Sequence, residues 1–474
     1  MSDWASIACP VCGLEHCEEH LPPESVAEES RDHLTELGAA DRFTRLHGAR
    51  VRYDHRRDRW LLWEGHRWRP DADTAVSRLA FTFARQWQRE AVEVKDSHER
   101  QAVARFTLAL ERRTLLANML FLARSLKPIA DAGDEWDLDP WLLGTPSGVV
   151  DLKTGACRPG RPRDRITFQT KARFVAAAPC PRWDAFIHEI FDGHQELIDF
   201  IQRAVGYSLT GITTEQVLFL CYGTGANGKG TFANTLKYVL GDYAWNMPFA
   251  TMELHDRAAI PNDIAALVNR RFVIASETND GTRLNEARVK ALTGCDPMTA
   301  RFLHSEFFEF EPVAKFWLAV NHRPIVRDDS YGFWRRIRLI PFTKQFPVDT
   351  TLAMQLQAEA PGILAWAVRG ALDWQQHGLT APAIVLEATK EYEEDSDPLR
   401  AFLDEACDLD TSAEANATDL YKHYKRWADR RELPEKERLS QTLFGRKLGE
   451  RFEKVKDRTK GASYVGIALR PLAA

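Results

Sequence analysis

The sequence predicts an α/β protein whose central domain is a parallel sheet with helices on its faces. Strand and helix patterns alternate from about residue 182 to residue 380, as expected when each strand is followed by a crossover helix. One of these strands, VLFLCY, runs directly into a glycine-rich loop and then into a helix. A chain of 474 residues is also longer than one hydrophobic core usually organises, so we expect further domains on either side.

The composition and charge argue against a protein whose whole surface is basic, and the sequence shows neither an export signal nor a membrane span. Hydrophobic residues make up 44% of the chain and charged residues 28%, which is typical of a globular protein that buries sizeable cores. The net charge of −5 argues against a surface that is basic throughout, so any nucleic-acid contact must be local. No export signal is visible, and no apolar run approaches the roughly 20 residues that cross a bilayer. We therefore expect a cytoplasmic protein with no membrane partner.

Residues 1–24 are predicted to form a small tip, because the polar, proline-containing segment LPPESVAEES separates them from the body of the chain. Thiolates and an imidazole with the spacing C-x2-C-x4-C-x2-H suit tetrahedral Zn²⁺. The candidate ligands are Cys9, Cys12, Cys17 and His20. His16 competes as a ligand, and incidental cysteines in a disordered tip remain the alternative.

Residues 30–181 are predicted to form an α+β domain. The segment RYDHRRDRWLLWEGHRWRP reads as strands and turns, and AVSRLAFTFARQWQREA follows with helical spacing. Pro, Gly and Ser then punctuate DLDPWLLGTPSGVVDLKTG as they do in tight turns between short strands.

The string GTGANGKGT stands between a buried strand and a helix, which is the context that a phosphate-binding loop requires. Glycines allow the backbone to turn its N–H groups toward phosphate oxygens, and Lys229 would reach the terminal phosphates at the helix N-terminus. The residues expected to hold ATP are Gly223, Thr224, Gly225, Ala226, Asn227, Gly228, Lys229, Gly230 and Thr231. The prediction is therefore a P-loop NTPase core, and the alternative is a strand-to-helix turn with incidental glycines.

The candidate magnesium ligands depart from the usual pattern of phosphate-binding loops. A Ser or Thr usually follows the loop lysine directly, but here Gly230 stands in that place, so we assign the ligand to Thr231. The strand RRFVIASET ends in Glu277, where a carboxylate can hold Mg²⁺ or activate the attacking water. Glu277 is thus both the candidate base and a candidate Mg²⁺ ligand, and a surface acid at a strand end is its alternative.

Two later segments complete the candidate catalytic set. KFWLAVNHRP is a strand ending in Asn321, whose amide can orient water toward a γ-phosphate. YGFWRRIRLIPF places Arg335 and Arg336 before another strand, and a guanidinium can stabilise the charge of the phosphoryl transition state. One of them is predicted to act on the ATP of a neighbouring subunit, unless both are solvated or structural.

The order of these motifs, GTGANGKGT, RRFVIASET, RLNEARVKALTGCDPMTARFLHSEFFEFEP, KFWLAVNHRP and GFWRRIRLIPF, resembles the superfamily-three helicases. The specific resemblance is to the phage and plasmid primase-helicase family related to the poxvirus enzyme. It extends upstream to LGAADRFTRLHGARVRYDHRRDRWLLWEGHRW and DPWLLGTPSGVVDLKTG, and downstream to ATDLYKHYKRWADRR.

The resemblance implies an AAA+-like core at residues 182–380, with ATP bound between the subunits of a hexameric ring that moves along single-stranded DNA, usually 3′ to 5′. It also implies a hairpin in the ring channel, which maps onto MTARFLHSEFFEF. His304 is the candidate for its tip, with Lys290 and Arg301 as supports, since cations grip phosphates while aromatic rings stack on bases. Without the resemblance, a lone histidine there would be merely exposed.

Many members of that family carry a primase domain, which needs paired aspartates and a histidine. Asp137 and Asp139 are spaced suitably, but they fall in the turn-rich DPW segment, where a structural role fits better. We therefore expect a separate primase or replication protein to act with this chain.

Residues 390–474 are predicted to form a winged-helix domain, because helices are followed by the ribbon-like ASYVGIALRP. Its basic helix and wing would contact duplex phosphates, unless the domain instead holds the ring together. The function predicted for the whole chain is an ATP-dependent DNA helicase that replicates a phage, plasmid or other mobile element and acts on single-stranded and forked DNA. The alternatives are a DNA-stimulated ATPase that remodels or packages nucleic acid without unwinding it, and a non-hydrolysing origin-binding platform.

Overall fold

The computed structural model describes residues 32–470 except 255–261, 277–280, 295, 302–305, 329, 434, 436–437 and 458–460. In these ranges the chain forms a helical unit with a small sheet, a central parallel sheet covered on both faces, and a C-terminal helical unit with short strands. None of the helices in the described ranges combines the length and the apolar character that a membrane span needs.

The first unit packs four helices against a four-stranded sheet of order β3-β2-β1-β4. In α2 the buried residues recur at helical spacing, so that one face of the helix meets Phe43 and the other rings of the core. Its start is capped by Asp71, whose carboxylate accepts the N–H groups of Ala75 and Val76. The elements are α1 (Glu36–His47), β1 (Val51–Asp54), β2 (Arg59–Trp63), β3 (Trp68–Pro70), α2 (Ala75–Glu90), α3 (Ser97–Leu110), α4 (Arg113–Ala123) and β4 (Ala130–Asp131).

A three-stranded antiparallel meander follows, and it shares its core with the central part of the chain. Leu143, Val150 and Leu152 belong to the same buried cluster as the helices on one face of the central sheet. Gln375, on the helix Ala360–His377, donates from its amide to the Leu152 carbonyl at 2.8 Å. The strands are β5 (Leu142–Thr145), β6 (Gly148–Asp151) and β7 (Ala156–Arg158).

The central sheet has the order β14-β8-β13-β10-β9, and every neighbouring pair is parallel. Most residues of its strands are apolar and buried, as expected for a sheet that is covered on both faces. The elements up to the middle of the sheet are α5 (Pro181–Ile190), α6 (Gln195–Leu209), β8 (Leu218–Tyr222), α7 (Lys229–Leu240), β9 (Ala244–Asn246), α8 (Asn262–Ala265), β10 (Phe272–Ser276) and α9 (Glu286–Thr293). The remaining elements are β11 (Met298–Ala300), β12 (Phe308–Phe310), β13 (Lys315–Val320), α10 (Tyr331–Trp334), β14 (Ile337–Pro341), α11 (Leu352–Ala358), α12 (Ala360–His377) and α13 (Ala383–Asp395).

Successive side chains of the strands enter two different cores. Phe219 and Cys221 of β8 join the core that contains α6 and α12, whereas Leu218 and Leu220 join the core on the opposite face. The helices α6 and α12 cross at glycines, since a Cβ on Gly206 would lie 2.0 Å from the backbone nitrogen of Ala371. The sheet is therefore held rigidly between two layers.

Two buried cations fasten the amino-terminal edge of the sheet to the end of α6. Arg271 donates to the Leu209 carbonyl at 2.7 Å, and Lys315 donates to the carbonyls of Thr210, Ile212 and Val313. Burial lowers the pKa of Lys315 well below its ordinary value. These side chains satisfy carbonyl groups at a helix C-terminus, where cations are favoured.

The C-terminal unit consists of three helices and short antiparallel strands, with β16-β18-β17 as its largest sheet. Side chains of Leu420, Tyr424 and Trp427 recur along α15 and form the core with α14 and α16. The Tyr464 hydroxyl of β18 donates to the Gly445 carbonyl of α16 at 2.7 Å. The elements are α14 (Pro398–Ala406), β15 (Cys407–Asp408), β16 (Glu414–Asn416), α15 (Ala417–Arg430), α16 (Gln441–Arg451), β17 (Lys454–Asp457), β18 (Gly461–Val465) and β19 (Ala468–Leu469).

Candidate functional site

The glycine-rich loop begins at the carboxyl edge of the central sheet. The adjacent parallel strands β8 and β13 end in register, with Tyr222 beside Val320. Gly223 and Asn321 therefore leave the sheet side by side, and the Gly223 N–H donates to the Val320 carbonyl at 3.3 Å. Ligands of open α/β sheets bind in this position, beyond the carboxyl ends of the strands.

The loop uses left-handed backbone conformations that favour glycine. Gly225 has φ 101° and Gly228 has φ 85°, and Gly228 is the residue that caps α7. Gly223 is needed for another reason, because a Cβ there would lie 2.3 Å from the Phe342 carbonyl oxygen. The sequence prediction of a strand, a tight glycine-rich loop and a helix matches this local geometry.

Lys229, the first residue of α7, turns its ammonium group back into the loop. Its Nζ donates to the Gly223 carbonyl at 2.5 Å, to Asn227 Oδ1 at 3.2 Å and to Asn321 Oδ1 at 3.3 Å. The residue is 6% exposed, and burial lowers the pKa of its ammonium group. The structure thus brings together Lys229 and Asn321, two residues that the sequence singled out 92 positions apart.

The segment after β14 braces the outside of the loop. Phe346 donates its N–H to the Ala226 carbonyl at 2.8 Å, and Gln345 donates to the Thr224 hydroxyl at 3.3 Å. Asn227 is buried and donates to the Phe342 carbonyl at 3.4 Å. These contacts hold the loop in shape from its outer side.

The residues assigned to Mg²⁺ are described in part. Thr231 lies half-buried in the first turn of α7, and Gly230 is exposed with nothing within 4 Å of a Cβ placed on it. Glu277 lies outside the described residues, although β10 ends just before it at Ser276. Within the described ranges, no three His, Cys, Asp or Glu side chains are arranged to hold a metal ion.

Arg335 and Arg336 lie at the opposite edge of the sheet from the loop. They precede β14, whose first residue, Ile337, pairs with Leu218 at the start of β8. At roughly 3.3 Å per residue, the five residues of β8 separate the backbone of these arginines from the loop by about 16 Å. Neither arginine can therefore contact a phosphate held in the loop of its own chain.

The two arginines differ in how firmly they are held. Arg336 is half-buried and donates to the Thr293 hydroxyl at 3.2 Å and to the Gly332 carbonyl. Arg335 is exposed and hydrogen-bonds the Gln216 side chain. Arg335 is the better placed of the two to reach a neighbouring molecule.

The segment between β10 and β13 contains the antiparallel strands β11 and β12, in the place where the family resemblance implied a hairpin. Arg301 follows β11 and lies over the exposed ring of Phe307, 4.9 Å from its centre. His304 lies outside the described residues. Lys290 is on the preceding helix α9, where it pairs with Asp328 at 2.5 Å and donates to the Ser330 hydroxyl at 3.0 Å.

The remaining sequence candidates are the N-terminal zinc ligands and two aspartates. The proposed zinc ligands Cys9, Cys12, Cys17 and His20 lie outside the described residues. Asp137 is half-buried and accepts the N–H groups of Thr167 and Phe168, at 2.6 and 3.1 Å. Asp139 accepts the N–H of Trp141 at 2.9 Å. Both aspartates thus have the structural role that the sequence favoured.

Two side chains near the candidate sites were not singled out by the sequence. Phe307 is 60% exposed at the hairpin, and the aromatic run FFEF was its available signal. Arg323, two residues after Asn321, lies over the ring of Tyr222 at 5.0 Å from its centre. Its partners are distant in sequence, so no local signal could have identified it.

Comparison with known families places three matches along the chain. A model described as "D5 N terminal like" matches residues 40–192, and one described as "Poxvirus D5 protein-like" matches residues 394–466. Between them, a family of unknown function matches residues 221–336. The D5 matches confirm the resemblance to the family related to the poxvirus enzyme.

Curated relatives come from large DNA viruses. A protein of Acanthamoeba polyphaga mimivirus named "Putative helicase" is 26% identical over 320 residues, which is 61% of this chain and 33% of that protein. A protein of Frog virus 3 with the same kind of name is 23% identical over 384 residues, covering 62% of this chain and 39% of that protein. The chain spans between a third and two-fifths of the length of these relatives.

Among solved structures, the apo C-terminal region of NrS-1 is similar to this chain with a TM-score of 0.48 and 13% identity. The likeness covers 92% of this chain and 100% of that one.

Proposed function

We propose that this chain, a relative of the D5-like primase-helicases, is an ATP-dependent helicase that separates DNA strands during replication. The observation that carries the proposal is the position of Lys229, whose ammonium group is enclosed by the loop and touches Asn321 on the neighbouring strand. Such a cationic centre, surrounded by backbone that curls at glycines, suits the β- and γ-phosphates of a nucleotide.

ATP binding would exchange the partners of Lys229. An ammonium group has three N–H donors, and here all three are directed at oxygen atoms of Gly223, Asn227 and Asn321. A bound phosphate oxygen therefore displaces at least one of these acceptors. Asn321 is exposed at the strand end, so its amide is then available to orient the attacking water.

Magnesium would be held by Thr231 and Glu277, and it would neutralise charge on the β- and γ-phosphates. Glu277 is also the proposed base for the attacking water. The zinc ligands Cys9, Cys12, Cys17 and His20 remain a separate proposal that hydrolysis does not require.

Hydrolysis by one subunit would need its neighbour. An arginine supplied in trans stabilises the transition state of phosphoryl transfer and raises the rate of hydrolysis by about 10³ to 10⁵. Arg335 is too far from the loop of its own chain and is exposed, which supports its action on the ATP of an adjacent copy. We propose a closed ring, with six subunits as in the family that the sequence resembles.

The central P-loop NTPase core would carry the DNA-gripping hairpin β11–β12 into the ring channel. Arg301 supplies a cation and Phe307 an exposed ring, which together bind the phosphates and bases of single-stranded DNA. The C-terminal unit would act as a winged helix, since exposed basic residues such as Arg446 on α16 and Lys456 on β17 suit duplex phosphates at a fork.

ATP hydrolysis and strand separation by the purified chain test the proposal. ATP hydrolysis is measured with and without single-stranded DNA for the wild type, Lys229→Ala, Arg335→Ala and an equal mixture of the two variants. We expect DNA-stimulated hydrolysis by the wild type, none by either variant alone, and partial recovery in the mixture, because some interfaces then combine an intact loop with an intact arginine.

The alternatives give different results. A remodelling ATPase would hydrolyse ATP with DNA but separate no strands, and an assembly platform would bind nucleotide without hydrolysing it. Full activity of Arg335→Ala would contradict action in trans by this residue.

A further inference from the structure

A short segment links the candidate nucleotide site to the helix that leads into the C-terminal unit. It begins at Asn321, which contacts Lys229, and continues to Arg323 and Pro324. The Arg323 guanidinium lies over the ring of Tyr222, the last residue of β8 before the glycine-rich loop. We call residues 321–324 the sensor segment, because its first residue contacts the lysine that a bound phosphate would engage.

The sensor segment is fastened to α13 by three contacts. Arg323 pairs with Asp395 at 2.5 Å and with Glu391 at 3.1 Å. These acids are one helical turn apart and therefore lie on the same face of α13. The Tyr392 hydroxyl, on the same helix, donates to the Pro324 carbonyl and is buried.

The far end of α13 is in turn joined closely to the C-terminal unit. Two residues separate α13 from α14. Arg400 of α14 pairs with Glu394 of α13 at 2.7 Å, and Arg451 of α16 pairs with Asp397 between the helices. A shift of α13 is thus passed to α14 and α16 with little free chain between them.

The contacts of Arg323 contribute little to overall stability. Its acidic partners are about 60% exposed, at 63% for Glu391 and 62% for Asp395. Ion pairs this exposed are weak and screened by salt, so a fold of this size does not depend on them. The guanidinium nevertheless bridges two acids and stacks on a ring, a combination that a lysine cannot reproduce.

We propose that Arg323 is a positioning residue that couples nucleotide occupancy at the loop to the placement of the C-terminal unit. When phosphate takes the ammonium group of Lys229, Asn321 loses or weakens its contact and the sensor segment shifts. Arg323 transmits that shift to α13 through Glu391 and Asp395. The inference rests on the proposed function, since it requires a nucleotide in the loop.

Hydrogen–deuterium exchange of the full chain tests this coupling. Exchange of peptides covering residues 383–406 is compared without nucleotide and with a non-hydrolysable ATP analogue and Mg²⁺. The variants are Arg323→Ala, Arg323→Lys and the double variant Glu391→Gln/Asp395→Asn. Lys390→Ala is the matched control. Lys390 is an exposed charge on the same helix, but it pairs with Glu394 and not with Arg323.

In the wild type and Lys390→Ala, we expect the analogue to change the exchange of residues 383–406. In Arg323→Ala and the double variant, we expect that change to be lost, while analogue affinity stays within about fivefold because the lost pairs are exposed. We expect Arg323→Lys to keep only part of the change. Thermal unfolding of each variant confirms that it is folded.

Three outcomes would overturn the coupling. The first is that the exchange of residues 383–406 does not change when the wild type binds the analogue. The second is that the analogue changes this exchange as much in Arg323→Ala as in the wild type. The third is that Lys390→Ala loses the change as fully as Arg323→Ala does. Failure of the wild type to bind the analogue would instead overturn the proposed function together with this inference. Analogue binding, measured separately, distinguishes the two failures.

Discussion

Lys229 shows how one enclosed side chain links the local fold to the proposed chemistry. Its ammonium group faces neutral oxygen acceptors, and burial lowers its pKa from the ordinary value of 10.5. In the folded chain without nucleotide, the charged form is therefore less favoured than in the unfolded chain. The stability contribution of this group consequently rises with pH between the lowered pKa and 10.5, and is lost as the pH falls through the lowered pKa.

This lowered pKa predicts an early alkaline limit for nucleotide binding. Only the protonated lysine attracts phosphate, so we expect affinity for a fluorescent ADP analogue to fall as the pH rises from neutral, before it reaches 10.5. The arginine in Lys229→Arg stays protonated throughout this pH range. Any affinity that this variant retains should therefore not fall as the pH rises. A wild-type profile that parallels that of Lys229→Arg would contradict the assignment.

Gly230 leaves room for the hydroxyl that phosphate-binding loops usually carry. A Cβ there meets nothing within 4 Å, and serine is also favoured over glycine inside a helix by about 0.5 kcal/mol. We expect Thr231→Ala to raise the Mg²⁺ concentration for half-maximal ATP hydrolysis by about tenfold. Adding Gly230→Ser to that variant should restore the lower requirement. An unchanged Mg²⁺ dependence in Thr231→Ala would remove Thr231 from the metal site.

At the scale of elements, the hairpin β11–β12 combines a cation with an exposed ring. We expect Phe307→Ala to weaken binding of single-stranded DNA by about 1 to 3 kcal/mol through lost base stacking. Arg301→Ala should reduce the slope of log affinity against log salt by about 0.7, the value for one phosphate contact on a single strand. Fluorescence anisotropy with labelled oligonucleotides measures both quantities.

Arg78→Ala is the control for the hairpin variants, because Arg78 is an exposed arginine on α2 that pairs with Asp73. It should bind DNA as the wild type does. Unchanged DNA affinity in both hairpin variants would show that the hairpin does not grip DNA.

The crossing of α6 and α12 is a second feature at this scale. A Cβ on Gly206 would overlap the backbone of α12, which cannot yield as a flexible side chain would. We expect Gly206→Ala to lower the free energy of unfolding by about 1 to 3 kcal/mol, as overpacked cores do. Gly449→Ala, on α16 where a Cβ meets nothing within 4 Å, should be neutral or slightly stabilising. Equal thermal stability of both variants would contradict the close packing.

The sequence predicted those elements whose signals are local. The loop from Gly223 to Gly228 was predictable because its glycines, the buried strand before it and the helix after it are adjacent in sequence. The meander β5–β7 was predicted as short strands, but its packing against α12 was not, since Leu152 and Gln375 are 223 residues apart. Local patterns predict a strand or helix without specifying which distant face covers it.

At the scale of the whole molecule, strand order decides which predicted residues can work together. The sequence indicated Lys229, Asn321 and Arg335 as catalytic candidates, but it did not indicate that β8 lies between β13 and β14. This order puts Asn321 beside the loop, whereas Arg335 lies at the far edge because it precedes its parallel strand instead of following it. The contacts of Arg323 with Asp395 and Glu391 were not predicted, because 72 and 68 positions separate these residues in the sequence.

Strand separation tests the central claim of an ATP-driven DNA helicase most directly. A forked duplex with a fluorophore and a quencher on its two strands is incubated with the wild type, ATP and Mg²⁺, and in parallel with Lys229→Ala. We expect the wild type to separate the strands only when ATP is present, and Lys229→Ala to separate none. A wild type that hydrolyses ATP on this fork yet leaves the duplex intact would contradict the claim.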